Sequence, residues 1–302
     1  MYGIGIGQSD FRALRIRKNY YIDKTKYIKD IIDNEASVIL VTRPRRFGKT
    51  LNMSMLKYYF DCTKKDSKEI FEGLKIMEQD EKYTSKLGYY PCIYITLKDV
   101  NESTYENMIL NMKTAMLNTY KEHMYLLDSD KIYPFEKEKI NDILYFREDE
   151  VTLKNSIKDL SEYLSRYYDK PVMLFLDEYD VPLQSAYVNK YYEQGITFFK
   201  TFYGTTFKDN PYLEKTVLTG VSRVAKESIF SGANNFKVYT ILDDEFSDDF
   251  GITEKEMDKV IEDFEVQDEK EEIKKCISKR KEEAQKKSAF RKDPFPKAEQ
   301  FI

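Results

Sequence analysis

The stretch that most constrains this chain runs from Val38 to Phe60, V-I-L-V-T-R-P-R-R-F-G-K-T-L-N-M-S-M-L-K-Y-Y-F. Val38-Ile39-Leu40-Val41 is a short β-branched apolar run, the signature of a strand buried in a parallel sheet. Leu51, Met55 and Tyr58/Tyr59 follow at helical spacing. A basic loop, Arg43-Pro44-Arg45-Arg46-Phe47, joins the two and ends in Gly48-Lys49-Thr50 at the helix entrance. A helix N-terminus carries unpaired N–H groups and the positive end of its dipole, so a phosphate docked there is satisfied by both. Gly48 lets backbone approach such a phosphate, Lys49 reaches it as a point charge, and the Thr50 hydroxyl is placed to bind Mg2+.

The P-loop pattern G-x-x-x-x-G-K-[ST] has glycine where this chain has Arg43. Only its second half is intact, and an isolated Gly-Lys-Thr in a lysine-rich chain says little. The flanking strand and helix are the context that the motif requires. A plain basic turn would leave the next motif unexplained.

That motif is Val172-Met173-Leu174-Phe175-Leu176-Asp177-Glu178. Its apolar run is a central buried strand with two carboxylates at the carboxyl end, where open α/β sheets bind ligands. Burying two acids without a counter-charge is costly. A Mg2+ ion and an ordered water supply the compensation: Asp177 holds the metal and Glu178 polarises the water that attacks a γ-phosphate. On its own, such a pair is a strand ending in a polar turn. Beside Gly48-Lys49-Thr50, it becomes the second half of a site. Thr216-Val217-Leu218-Thr219 is another strand, with Gly220-Val221-Ser222-Arg223 after it. Thr219, or Ser222 beyond it, is placed to sense the γ-phosphate. Arg223 either neutralises transition-state charge or is a surface loop residue. Asp180 and Pro182 start the next helix and are read as structural.

The remaining elements fit one α/β unit. Ser9 or Asp10 caps a short helix with Phe11 and Leu14. Asp23 caps a second, with Tyr27, Ile28, Ile31 and Ile32 on its buried side; this lead-in either packs beside the sheet or covers a nucleobase. Gly3, Gly5 and Gly7 lack the strand and helix that a dinucleotide fingerprint needs. Residues 61–86 are polar and irregular. Strands are expected at 91–97 and 235–242, the latter approached by a turn at 231–235. Helices are expected from Tyr105 to Tyr120, from Leu153 to Leu164 and around Tyr192, Ile196, Phe199 and Tyr203, with a weakly patterned helical insertion at 126–150. Asp243 to Asp249 form an acidic linker, and Thr253-Glu254-Lys255-Glu256 is a capping box that opens a helix with Met257, Val260 and Ile261. Beyond Phe264 the chain is almost wholly charged, a solvated helix and tail.

The net charge of −4 gives no electrostatic reason for a nucleic-acid or anionic-membrane partner. No apolar run reaches membrane-spanning length, so a cytoplasmic protein is expected. Cys62, Cys92 and Cys276 are odd in number and far apart, which argues against a disulfide framework or a C-x-x-C metal site. The single histidine, His123, is expected on a helix surface and argues against His-based zinc or a Ser-His-Asp triad.

Phe11-Arg12-x-Leu14-Arg15, Tyr20-Tyr21-Ile22-Asp23-Lys24-Thr25, Arg43 to Thr50, Leu176-Asp177-Glu178-Tyr179-Asp180 and Leu218 to Arg223, in that order, resemble the bacterial AAA-ATPase-like family over about residues 5 to 255. In that family R-P-R-R-F-G-K-T is the usual form of the loop, which accounts for the missing glycine. The resemblance implies an α/β, three-layer αβα P-loop NTPase fold of AAA type with a largely parallel five-stranded sheet, and ATP with Mg2+ as ligands. It implies phosphate and Mg2+ contacts at Lys49 and Thr50, the acidic pair at Asp177 and Glu178, and a sensor at Arg223. With the reading of the residues above, nucleotide contacts are expected at Arg46, Phe47, Gly48, Lys49, Thr50, Leu51 and Thr219, metal contacts at Thr50 and Asp177, and catalytic roles for Glu178 and Arg223. Residues 1–245 would form the P-loop domain, and 246–302 a short helical lid region and charged tail. Many relatives continue into a nuclease-like domain, but Glu272-Ile273-Lys274 lacks the apolar strand that such a site needs. Slow Mg-dependent ATP hydrolysis used as a switch is the expected function. A phosphotransferase acting on a small acceptor and a non-catalytic interaction module are the alternatives. A protein partner or self-association stays open.

Overall fold

A computed structural model describes residues 3, 5, 7–208, 210–222 and 236–275. Arg223, Cys276 and the turn expected at 231–235 lie outside the described residues.

The sheet is built from β1 (Val38–Thr42), β2 (Cys92–Thr96), β3 (Val172–Asp177), β4 (Leu213–Gly220) and β5 (Phe236–Tyr239). All pairs are parallel, in the order β2-β3-β4-β1-β5. The β-branched and aromatic runs form strands because alternate side chains meet apolar partners on both faces. Val38 and Leu40 of β1, with Leu174 and Leu176 of β3, point into one core. Ile39, Val41, Met173 and Phe175 point into the other.

The second core is roofed by α1 (Phe11–Ile16), α2 (Lys26–Asp33) and α3 (Lys49–Phe60). The first is roofed by α6 (Tyr105–Lys121), α7 (Pro134–Leu144), α8 (Glu150–Tyr168), α9 (Val181–Val188) and α10 (Tyr192–Phe207). The fold is therefore a three-layer αβα sandwich of the P-loop NTPase kind. Helix starts follow local chemistry: Asp10, Thr104 and Asp149 each accept a first-turn backbone N–H. Leu153, Ile157, Leu160 and Leu164 make the buried stripe of α8, each contributing about 2 kcal/mol by burial.

Four local expectations change. Residues 61–86 form short helices, α4 (Ser67–Phe71) and α5 (Glu81–Thr84), and bury Ile70, Phe71, Leu74, Ile76 and Tyr83. Their apolar residues are too widely spaced among charges to show a period. Thr25, not Asp23, precedes α2; the Asp23 carboxylate instead accepts from the Thr25 N–H and hydroxyl. His123 is buried in the turn after α6, its Nδ1 3.2 Å from the Tyr125 hydroxyl, and burial pulls its pKa down to about 4. The acidic 243–249 stretch is packed, with Phe246 and, just beyond it, Phe250 meeting Tyr27 edge-on. It leads to α11 (Glu254–Asp263), which starts with the expected capping box of Thr253 and Glu256. No helix among the described residues is long and apolar enough to cross a membrane.

Candidate functional site

Strand order decides which loops become neighbours. β4 lies between β1 and β3, and its register sets Thr219 opposite Val41 and Gly220 opposite Thr42. On the other side Leu218 pairs with Leu176, so Asp177 lies beside Thr219. The Thr219 hydroxyl donates to Asp177 Oδ1. The basic loop, the acidic pair and the β4 end thus share one carboxyl edge.

The loop leaves β1 through Arg43, whose N–H still reaches Gly220 O at 3.1 Å. Its buried guanidinium donates to the carbonyls of Thr42 (3.0 Å), Tyr239 (3.3 Å) and Phe246 (3.0 Å). It also lies over the Phe250 ring, 5.3 Å from the centroid. Burial lowers its pKa, opposed by Tyr27, Asp243 and Asp249. An arginine here ties β1, β5 and the 246–250 segment together. That is what glycine at this position could not do.

Two left-handed residues then turn the chain, Arg46 (φ 70°) and Gly48 (φ 80°). For Gly48 the dihedral is the constraint, since no atom lies within 4 Å of where a Cβ would stand. Gly48 precedes α3 with its first-turn N–H groups uncapped by a side chain. The Lys49 amino group turns back into the loop and donates to Arg43 O and Pro44 O, both at 3.0 Å. Burial lowers its pKa; the Asp177, Asp180 and Glu178 charges oppose this, and the Arg45 cation adds slightly to the lowering. Thr50 and Leu51, on the first turn of α3, are half-buried.

Glu178 stands just past the strand in the left-handed region, φ 57°. A non-glycine residue there is uncommon. It is half-buried, and burial followed by the Asp177 charge raises its pKa. Tyr179 fixes the turn: its N–H donates to Thr219 O at 3.0 Å, its hydroxyl to Ser222 O at 2.9 Å, and it accepts from the Tyr203 hydroxyl at 2.8 Å.

Beside the loop opens a cavity of about 540 Å3, walled by Tyr21, Ile22, Phe47, Leu51, Val260 and Phe264. Sequence-distant segments close it. Tyr20 donates to Asp263 at 2.7 Å and packs edge-on to Phe264 with ring centroids 5.0 Å apart. The buried Lys24 amino group donates to Asp248 O at 2.6 Å and to Glu256 at 2.7 Å. The Glu256 carboxyl, raised by burial, is pulled below its usual value by Lys24 and the Thr253 N–H. Gly251, φ 73°, donates its N–H to Phe47 O at 3.1 Å, and a Cβ on it would stand 3.2 Å from the Phe47 ring. Asn52 Nδ2 holds Asp249 O at 2.8 Å.

Of the expected residues, Arg46, Phe47, Gly48, Lys49, Thr50, Leu51, Asp177, Glu178 and Thr219 gather at this edge, with Arg46, Phe47, Gly48 and Leu51 also lining the cavity. The sequence reading missed the roles of Arg43, Lys24, Asp249 and the α11 face. For α11 a signal existed: Met257, Val260 and Ile261 form a stripe that needs a partner.

A parallel β2-β3-β4-β1-β5 sheet with a Gly-Lys-Thr loop at the end of β1 and an acidic pair at the end of β3 defines the P-loop NTPase class. Within it, the family described as Predicted AAA-ATPase matches residues 5–230, and the chain belongs to this AAA-ATPase-like family. Neither the curated proteins nor the solved structures gave a match.

Proposed function

We propose that the chain binds ATP and hydrolyses it slowly, using the bound nucleotide as a switch. The carrying observation is the register that sets the Lys49 loop, Thr219 and the Asp177–Glu178 pair side by side. The α3 N-terminus and Lys49 take the β- and γ-phosphates, with Arg46 at the loop's outer turn. The adenine enters the cavity between Phe47, Leu51 and α11, which is apolar enough to stack a base.

No cluster of three or more metal-ligating side chains exists among the described residues, but a P-loop Mg2+ takes only one or two carboxylates beside the phosphates. The buried Asp177, one oxygen held by Thr219, and the Thr50 hydroxyl fit that need. Mg2+ held there neutralises charge on the phosphates when bound.

Glu178 does the proton work. A water oxygen bonds to the γ-phosphorus, the bond to the β-γ bridging oxygen breaks and leaves with ADP, and the water's proton goes to the Glu178 carboxylate. Burial and the Asp177 charge raise its basicity. Thr219 orients Asp177, and Arg223, following β4 in sequence, completes the sensor. We read 1–245 as the NTPase unit and 246–302 as lid and tail. This division is functional and not one of packing, since Phe246 and Phe250 belong to the core.

Thermal unfolding with and without ATP·Mg2+, on wild type beside Lys49→Ala, tests binding. A ligand at 100 times its dissociation constant stabilises by about 2.7 kcal/mol. A rise of several degrees is expected in wild type and none in the variant; no rise in either returns the chain to the interaction-module reading. Glu178→Gln should keep the shift and lose about 100-fold or more in turnover, measured as phosphate release. Unchanged turnover would remove Glu178 from the mechanism.

A further inference from the structure

Asp180 occupies the residue before α9, where an aspartate ordinarily accepts N–H groups of its own helix. Here it makes no such bond. The carboxylate is fully buried and turned toward the neighbouring strand's loop. Its Oδ2 accepts from Val221 N at 3.1 Å, Ser222 N at 2.8 Å and the Ser222 hydroxyl at 2.7 Å, and from the Gln184 amide. Gln184 also donates to the Ser222 hydroxyl at 2.9 Å. Its Oδ1 is buried with no hydrogen-bond partner among the described residues. Gly220 leaves the space it needs: a Cβ there would stand 2.6 Å from Oδ1 and 2.6 Å from the Tyr179 ring.

A buried carboxylate demands donors, so the ones it recruits show what it is built to hold. Apart from Gln184, they come from the two residues following β4. The pattern repeats along the acidic turn. Asp177 is bonded by Thr219, Tyr179 by Thr219 and Ser222, and Asp180 by Val221 and Ser222. Among the described residues Glu178 is the one member of 177–180 without such a tie to the end of β4, and it stands in a left-handed conformation that its neighbours must hold.

We propose that Asp180 is a positioning residue that clamps the β3 turn to residues 221–222, so that a γ-phosphate contact made beyond β4 sets the aim of Glu178. This rests on the hydrolytic reading above for its consequence in turnover, while the clamp itself is testable without nucleotide. Side chains that misplace a general base by an ångström cost about 100-fold in rate. Asp180→Ala is therefore expected to lower kcat for ATP about 100-fold with KM little changed. Asp180→Asn, whose amide oxygen still accepts from residues 221 and 222, should restore most of it. In a Glu178→Gln background, Asp180→Ala should add no further loss, because the base it aims is gone. A merely structural role would instead raise KM, lower thermal stability in step with kcat and add to Glu178→Gln; that result overturns the proposal.

Amide hydrogen exchange of the nucleotide-free protein separates this from the hydrolytic reading. In Asp180→Ala, or in Ser222→Ala if that variant fails to fold, exchange at the backbone N–H groups of residues 179 and 222 should rise together. Unchanged exchange at Tyr179 overturns the clamp whether or not the wild type turns over ATP. Joint exchange in a wild type without turnover would keep the clamp and remove the hydrolysis.

Discussion

The two ends of the candidate site are built differently. The phosphate end hangs on β1, β4 and β3, parallel neighbours in one ladder, and its side chains are fixed by register. The base end is a cavity closed by contacts between residues more than two hundred positions apart, Tyr20 with Asp263 and Lys24 with Glu256. A ladder gives way only with the core, whereas a wall held mainly by polar contacts between distant segments can open alone. If the chain turns over ATP as proposed, chemistry belongs to the stiff half and nucleotide exchange to the soft half.

The hardest test of this division is Arg43, which links the halves. Arg43→Gly restores the common loop pattern yet removes a guanidinium that serves three carbonyls and packs on Phe250. Leaving buried carbonyls unpaired should cost about 3 kcal/mol. That is about 6 °C in thermal midpoint for a chain of this size. A variant as stable as wild type would mean the halves are not coupled through Arg43.

Lys24→Met acts on the soft half alone. It removes the Lys24 donor from Asp248 O and from Glu256, which keeps the Thr253 N–H, and preserves the apolar stem. ATP affinity, measured by titration calorimetry, should fall about tenfold, equivalent to about 1.4 kcal/mol. The kcat should hold, because no group at the phosphate end moves. A fall in kcat with unchanged affinity would erase the distinction between the halves.

The same contrast explains what was legible in the sequence. The strands and the Gly48-Lys49-Thr50 and Asp177-Glu178 motifs are local: a buried run and the residues next to it carry their meaning. So were α3, α6 and α8, whose stripes repeat at three and four. Arg43 read only as a departure from the common loop pattern that the family form accounts for; its packing role was hidden because its partners, Tyr239 and Phe246, are about two hundred residues away. His123 looked exposed because nothing local says that the turn after α6 folds inward. The acidic 243–249 stretch looked like a linker since charge density conceals the two aromatics, Phe246 and Phe250, that dock it. Asp180 looked like an ordinary helix start, and composition cannot show a carboxylate turning from its own helix to another strand. Tertiary partners, not local propensity, decided each of these.

The smallest predicted effect concerns Asp249, in the soft half. Asp249 is buried beside the loop, and neither of its carboxylate oxygens has a hydrogen-bond partner among the described residues, while the Asp30 charge lies near. Lys26, Lys24, Tyr27 and Arg43 are the other ionisable groups within reach. Burial, then Asp30, pushes the Asp249 pKa up to about 7 from an ordinary 3.8. Between these values the folded chain binds more protons than the unfolded one, so stability falls as pH rises. The contribution is whole below the unfolded value and is lost as pH climbs through about 7. Asp249→Asn keeps the shape and removes the titration. Thermal midpoints should therefore drop by a few degrees from pH 5 to pH 8 in wild type, with a visibly flatter profile in the variant. Since Asn52 fixes Asp249 O to the first turns of α3, the same pH step should loosen the cavity wall and weaken ATP binding before it touches kcat. Parallel profiles in both proteins would show that Asp249 takes up no proton across this range and that the compliance of the soft half does not depend on its charge.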